Sequence, residues 1–295
     1  MNYKLGKLIG RGGDGDVYEL NDKEIIKFIQ PTPEGFENYL EAYITLYLEH
    51  PNIMKTKRIE IADNHLIKIV QDKASKDLNQ MIYKEKLSRK KKYQIMKNLV
   101  SVIYFLQSHN IIHGDIKPHN ILILDDTIKL NDFTRSRLAD NLYNNQILYT
   151  FLYRPPESYK KKVNLKSDIW ALGCTLYEIY YGRKYHNYSG SKIFHLVCPE
   201  EIKEENFKLN QLIYKMVNKR IDKRPEIEEI AEFFQIEEKW GKTELILRDI
   251  TTPKDAIFYN KIYHTSKRKK IDNNYKQFEQ KLSNEIKFDI FSQLS

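Results

Sequence analysis

Apolar and polar positions along the chain change period twice, and the changes divide it into stretches of different character. Residues 5–29 favour short strands broken by glycines: Leu5 to Ile9, then GRGGDG, then Val17 to Leu20 and Glu24 to Ile29, with Pro31 and Pro33 ending the run. Residues 35–48 switch to helical spacing, with Phe36, Tyr39, Leu40, Tyr43, Ile44 and Tyr47 on one face and Glu37 and Glu41 one turn apart. Two further strands are expected at Met54 to Glu60 and His65 to Val70, which complete a small antiparallel sheet, and the polar stretch Gln71 to Asp77 reads as a connector. Beyond it helical spacing dominates. A long amphipathic helix opens at Arg89 and carries Met96, Leu99, Val100, Ile103 and Leu106; a second, from about Lys166 to Tyr181, is apolar on all sides and therefore expected to be buried. A short strand at Ile121 to Leu124, another at Ile128 to Leu130, a helix at Phe207 to Val217 and a short last helix complete the pattern, and from about Ile236 the apolar density falls.

Composition adds little to this outline. The 295 residues suffice for one large domain or two lobes with a tail, and no repeat is visible. The net charge of +9 is spread over a chain rich in lysine throughout, and no base-reading motif accompanies it, so nucleic acid is not expected as a partner. The cysteines Cys174 and Cys198 have neither a metal-ligand spacing nor a disulfide framework, in keeping with a reducing compartment. The first residues lack an apolar signal core and no run of about 18 apolar residues occurs, so a soluble, cytoplasmic protein without membrane association is expected. The cluster Lys267 to Lys270 leaves a nuclear location open.

Candidate chemistry lies in a few stretches. Gly10, Gly12, Gly13 and Gly15 form G-x-G-G-x-G-x-V with Val17 between two strands, where backbone amides can approach phosphate oxygens unobstructed. No helix follows directly, which argues against a dinucleotide-binding turn. Lys27 sits in IIKF with apolar neighbours, either reaching outward to solvent or held as a buried cation by a carboxylate such as Glu41. HGDIKPHNIL, residues 113–122, places Asp115, Lys117 and Asn120 around one tight turn between a helix and a buried strand. A second carboxylate, Asp132 in KLNDFT, follows the strand at Ile128 to Leu130. Asp168, near the start of the apolar helix, reads in isolation as an N-cap.

Taken in order, these motifs resemble those of the eukaryotic protein kinases over roughly residues 3–235. The resemblance implies a bilobal α+β fold: a small antiparallel-sheet lobe with one main helix over residues 1–72, a larger and mostly helical lobe over 73–235, and a basic extension of residues 236–295. It implies ATP and magnesium as cofactors and a protein as substrate. Ile9, Gly10, Gly12, Gly13, Gly15 and Val17 would cover the nucleotide, with Leu122 beneath it, and Lys27, paired with Glu41, would hold the α- and β-phosphates. Asp115 would orient the substrate hydroxyl with Lys117 stabilising charge, while Asn120 and Asp132 would bind the metal. RPPE, residues 154–157, resembles the close of an activation segment, Asp168, Trp170 and Gly173 resemble the D-x-W-x-x-G helix whose Asp supports the catalytic loop, and Arg224 would pair with Glu157. Lys117 and Thr150 together resemble the serine/threonine pattern, and TFLYRPPE loosely resembles the cyclin-dependent kinase group.

Departures from the family pattern carry expectations of their own. Gly114 stands where regulated members carry an arginine that receives a phosphorylated loop residue, and the usual acceptor position is Asn145, so activity without activation-loop phosphorylation is expected. Thr134 replaces the glycine of DFG, Ile25 replaces a small residue above adenine, and Thr45 and Thr56 fall where apolar residues usually stack behind the lysine–glutamate pair. The alternative readings are a pseudokinase scaffold, favoured by these replacements, and a small-molecule phosphotransferase of the aminoglycoside or choline kinase type, which shares HGD followed by Asn. Against both stand the retained Lys27, Glu41, Asp115, Asn120 and Asp132, and against the second also Lys117, RPPE and Arg224.

Overall fold

In the computed structural model the residues described are 4–12, 15–29, 41, 44–45, 48–61, 67–139, 149–160, 162–189, 192–195 and 207–238. They fall into two compact units, one over residues 4–49 and 54–73, the other over residues 50–53 and 74–238.

The first unit is built on a five-stranded antiparallel sheet in the order β1-β2-β3-β5-β4. Its strands are β1 (Leu8–Gly12), β2 (Gly15–Glu19), β3 (Glu24–Ile29), β4 (Thr56–Ile61) and β5 (Ile67–Asp72). In β3, Ile26, Lys27 and Ile29 are buried while Ile25 and Phe28 are half-covered. The turn into β2 requires glycine. Gly15 has φ of 128°, and a Cβ there would lie 2.1 Å from the Phe28 carbonyl oxygen. Glu41, Ile44 and Thr45 are helical and buried, whereas most of the helix expected over 35–48, together with Gly13, lies outside the described residues.

The second unit is mostly helical. The strand pair β6 (Lys76–Asp77) and β8 (Ile121–Leu124) is extended by β9 (Thr127–Leu130), giving a small sheet ordered β6-β8-β9. Helix α1 (Leu78–Lys84) is capped by the Asp77 side chain and α2 (Arg89–Ser108) by Ser88. The apolar face of α2 is buried along Met96, Leu99, Val100, Ile103 and Leu106, as its spacing predicts. His50–Ile53 belongs here: Asn52 donates its side-chain amide to the Ile128 carbonyl at 2.9 Å and accepts the Leu130 amide on its own carbonyl at 2.7 Å. Two-residue strands β7 (Ile111–Ile112) and β10 (Arg137–Leu138) pair antiparallel on either side of the catalytic-loop motif.

Helix α3 (Leu165–Tyr181) is the core of this unit, buried from Ser167 to Ile179. Its N-cap is Asn164, in a reciprocal capping box with Ser167, and not Asp168 as the isolated motif led us to expect; Asp168 is a first-turn residue whose carboxylate serves other amides. Gly173 admits α4 (Phe207–Met216), since a Cβ on it would stand 2.9 Å from the Met216 Cβ. A β-hairpin of β11 (His186–Ser189) and β12 (Lys192–His195) precedes α4, and α5 (Ile227–Phe233) ends the described chain. Among the described residues no helix is long and apolar enough to cross a membrane. The basic cluster at Lys267 to Lys270, Cys198 and Asn145 lie outside them.

Candidate active site

Each unit presents a set of polar side chains at the positions the motifs mark. In the first, the sheet register sets Gly10 opposite Val17 and Val17 opposite Lys27, so the glycine strand, the valine and the lysine are neighbours in successive strands. Ile9 beside them is exposed. Lys27 Nζ is bound by both carboxylate oxygens of Glu41, at 2.8 and 3.0 Å, and both residues are buried. The second of the two readings of Lys27, a buried cation held by a carboxylate, is therefore the observed one.

Behind that ion pair, Thr45 and Thr56 are buried with their hydroxyl oxygens 2.7 Å apart. Thr45 donates to the Glu41 carbonyl at 2.9 Å, so its single proton is used there and Thr56 must donate to it. The Gln71 amide in turn donates to Thr56 at 3.4 Å. The polar residues are thus mutually satisfied where apolar stacking is usual, which removes the cost of burying a lone hydroxyl.

In the second unit, the loop between β7 and β8 is fixed from below by Asp168. One carboxylate oxygen accepts the His113 amide at 2.6 Å, and the other accepts the Gly114 amide at 3.1 Å and the Tyr149 hydroxyl at 3.0 Å. Burial pushes the Asp168 carboxyl up, opposed by His113 and by these donors. Gly114 has φ of 78°, a conformation that costs a side-chain-bearing residue energy, and His113 is buried and held toward its neutral form by that burial.

Asp115 is buried and fully engaged. Its Oδ1 accepts both the backbone amide and the hydroxyl of Thr150 at 2.8 Å each, and its Oδ2 accepts Lys117 Nζ at 2.6 Å and the Asn120 amide at 3.0 Å. Burial raises the Asp115 carboxyl, but Lys117, Arg135 and Thr150 outweigh it and the net shift is downward. The carboxylate is therefore ionised at neutral pH. Lys117 also donates to Thr150 Oγ1 at 2.7 Å, closing a ring of Asp115, Lys117 and Thr150.

Asn120 donates to the Asp115 carbonyl at 2.9 Å as well as to its side chain, so its own side-chain oxygen turns away from Asp115 as an acceptor. Register brings Asp132 near it: Ile121 pairs with Leu130, and the Asn131 amide donates to the Asn120 carbonyl at 2.9 Å. Leu122 lies on β8 between Asp77 and Lys129. Asp132 adopts φ of 61°, and its Oδ1 accepts the Thr134 hydroxyl at 2.8 Å, so the residue in place of the DFG glycine ties down the carboxylate it follows. Among the described residues no group of three or more His, Cys, Asp and Glu side chains forms a cage for a metal. Asn120 and Asp132 instead offer a pair of hard oxygen donors, the set that suits a magnesium ion otherwise held by water and phosphates.

The segment after Asp132 is anchored at its far end. Arg224 donates to Glu157 through both terminal nitrogens, at 2.6 and 2.8 Å, lies over the Trp170 ring at 5.1 Å, and is fully buried. The resemblance pointed to this pair, and to Asp168 beneath the loop. It gave no sign of Tyr149, which touches both Gly114 and Asp168 and has no sequence signal beyond standing next to Thr150.

The family model for the protein kinase domain matches residues 3–234, and the chain belongs to that family. Its relatives include the zebrafish dual specificity protein kinase Ttk, 28% identical over 204 residues that make up 60% of this chain and 20% of that protein. The Macaca fascicularis serine/threonine-protein kinase Nek11 is 29% identical over 80% of this chain and 41% of its own length, and mouse Aurora kinase B is 28% identical over 61% and 56%. The chain thus spans about a fifth of the length of the Ttk relative and about half of the Aurora relative.

Proposed function

We propose that this chain is a serine/threonine protein kinase that transfers the γ-phosphate of ATP to protein hydroxyls, and that residues 1–235 are its catalytic domain. The observation that carries the reading is the state of Asp115: ionised, buried, and fixed from four directions by Lys117, Asn120 and Thr150. A carboxylate held below its ordinary range is a weak base but a good orienter. It aligns a substrate hydroxyl for in-line attack and accepts its proton late, which suits phosphoryl transfer. The Thr150 hydroxyl, at 2.8 Å from Asp115 Oδ1, occupies the kind of contact an incoming serine or threonine would make.

Lys27, fixed by Glu41, supplies a positive charge for the α- and β-phosphates, and the glycines of β1 and β2 supply backbone amides. Asn120 and Asp132 would hold magnesium, which would supply positive charge against the negative charge of the phosphates. Lys117 stays with Asp115 and shields the transferred group. The same five polar residues argue against a scaffold, since a scaffold has no need of an ion pair, an oriented carboxylate and two metal ligands.

Activity is expected without activation-loop phosphorylation, because Gly114 offers no arginine to a phosphate. The partners expected are ATP and a protein substrate, with nucleic acid and membrane not expected, and the location expected is cytoplasmic, with a nuclear one left open by the cluster Lys267 to Lys270. The test is transfer from radiolabelled ATP to generic protein substrates with magnesium. Wild type labels protein while Asp115→Ala and Asp132→Ala lose at least roughly a hundredfold in rate. Labelling of small amines or alcohols but never of protein would overturn the substrate class, and wild-type labelling no faster than the variants' would overturn catalysis.

A further inference from the structure

Among the described residues, Tyr149 is the one aromatic residue with a positive φ. It is fully buried, yet it is a tyrosine at φ of 72°, in the left-handed region where a side chain costs about 1 kcal/mol or more. Such a conformation persists only where the surroundings over-determine it, and here they do. Its amide donates to the Gly114 carbonyl at 2.9 Å. Its carbonyl accepts Arg154 through Nε and Nη2, at 3.2 and 2.9 Å. Its phenol donates to Asp168 Oδ1 at 3.0 Å, the same oxygen that receives the Gly114 amide.

These bonds tie one residue to both partners of the catalytic loop: the residue before Asp115 and the carboxylate beneath it. The next residue along, Thr150, is the one that places two donors on Asp115 Oδ1. A rotation about Tyr149 would carry Thr150 away from Asp115. The Asp115 oxygen would then lose both donors, and Lys117 would lose the hydroxyl that completes its ring.

We propose that Tyr149 is a positioning residue for the proposed phosphoryl transfer: clamped between Gly114 and Asp168, it holds Thr150 against Asp115 and so supplies from inside the fold the fastening that a phosphorylated loop residue would otherwise provide. The inference rests on the protein kinase reading, and it uses a side chain bonded through its backbone to Gly114 that reaches the buried carboxylate. The phenol gives Asp168 its third donor, beside the amides of His113 and Gly114. No covalent modification enters the arrangement, because every bond is made by groups encoded in the chain.

The test compares Tyr149→Phe, which keeps the ring and removes the phenol, with Tyr149→Gly, which keeps the φ without strain and removes the clamp. Both are assayed over a range of ATP concentrations up to saturation, with kcat referred to the folded fraction. The Phe variant loses roughly tenfold in kcat with KM for ATP unchanged, the size expected for one hydrogen bond to a charged group. The Gly variant loses more, although its backbone is relaxed. A purely structural tyrosine would lower thermal stability and leave kcat per folded molecule where it was; a Phe or Gly variant with wild-type kcat overturns the proposal. Amide hydrogen exchange at Thr150 gives a second readout that needs no catalysis: exchange at least about tenfold faster in the Phe variant supports the clamp, and unchanged exchange overturns it. Should wild type transfer no phosphate, the kinase reading falls, and the exchange measurement still decides whether Tyr149 holds Thr150.

Discussion

Removing one partner of the Glu157–Arg224 pair should unfold this protein at temperatures where it is otherwise stable. Arg224 has no exposed side-chain surface and Glu157 only 11%. Beyond the two bonds to Glu157, the guanidinium donates to the Asn218 carbonyl at 2.9 Å and the Lys166 carbonyl at 2.8 Å, and Ser167 donates to Glu157 at 2.7 Å. Arg224→Ala therefore leaves a carboxylate in a dry site with a single hydroxyl donor, and strips two carbonyls and the Trp170 face of their cation. Breaking a buried, hydrogen-bonded pair from one side costs about 3–5 kcal/mol, against at most about 1 kcal/mol for an exposed pair. For a domain of this size each kcal/mol moves Tm by roughly 2–4 °C, so a fall of about 6–20 °C is expected. Urea unfolding followed by circular dichroism on Arg224→Ala, Glu157→Leu and the double variant completes the cycle. The double variant should lose less than the sum of the singles, because neither charge is then left alone. Single losses under about 1 kcal/mol, or strictly additive ones, would refute the idea that this pair is desolvated and coupled.

Other outcomes follow from particular contacts. Gly15→Ala, whose Cβ would sit 2.1 Å from the Phe28 carbonyl at a φ of 128°, should cost more than about 2 kcal/mol in urea unfolding, while Gly10→Ala, with 3.6 Å to Val17, should be tolerated. Thr56→Val should cost about 1–2 kcal/mol and Thr45→Val with Thr56→Val less than the sum of the singles, measured the same way, since the pair satisfies itself. His50 is held neutral, its pKa brought down to about 4 by burial first and by Lys129 second. Its Nδ1 accepts the Asn52 amide at 3.0 Å, which fixes the proton on Nε2 facing Ser101. The unfolded chain takes up that proton below its ordinary 6.5 and the folded chain does not, so this stabilisation is complete above pH 6.5 and is lost as pH falls toward about 4. The difference in unfolding free energy between wild type and His50→Gln should change by about 3 kcal/mol across that window, and a flat difference would refute it.

How much of this was legible in the sequence depended on whether the signal was local. The buried faces of α2 and α3 follow from helical spacing, and β2 and β3 from short runs bounded by glycines before and prolines after, because both signals lie among neighbouring residues. Edges were less so: the strand expected at Met54 to Glu60 runs over Thr56–Ile61, because Met54 is buried in the approach to it. Two-residue strands such as β7 and β10 carry no period at all, and exist through pairing with each other. Asp168 looked like a cap because its place in the first turn is local information, whereas the amides it accepts lie 55 and 54 residues earlier. Tyr149 was invisible for the same reason, its partners being in other segments and its positive φ leaving no trace in a residue type that rarely adopts it. Thr45 and Thr56 were noticed as departures, but that Thr56 donates to Thr45 across 11 residues, with Glu41 and Gln71 completing the set, is a fact of tertiary structure.

The reach of Asp168 has a consequence for synthesis. A ribosome releases the loop carrying Asp115 well before it makes the carboxylate that floors it, an interval of roughly 3–10 s at the usual pace of about 5–20 residues per second. Through that interval the amides of His113 and Gly114 have only water to bind, and Tyr149 arrives before the oxygen its phenol seeks. A nascent chain or proteolytic fragment that ends between Thr150 and α3 therefore contains every proposed catalytic residue but lacks the Asp168 carboxylate beneath them. The foundation of the catalytic loop arrives with a helix that contributes nothing to the chemistry itself.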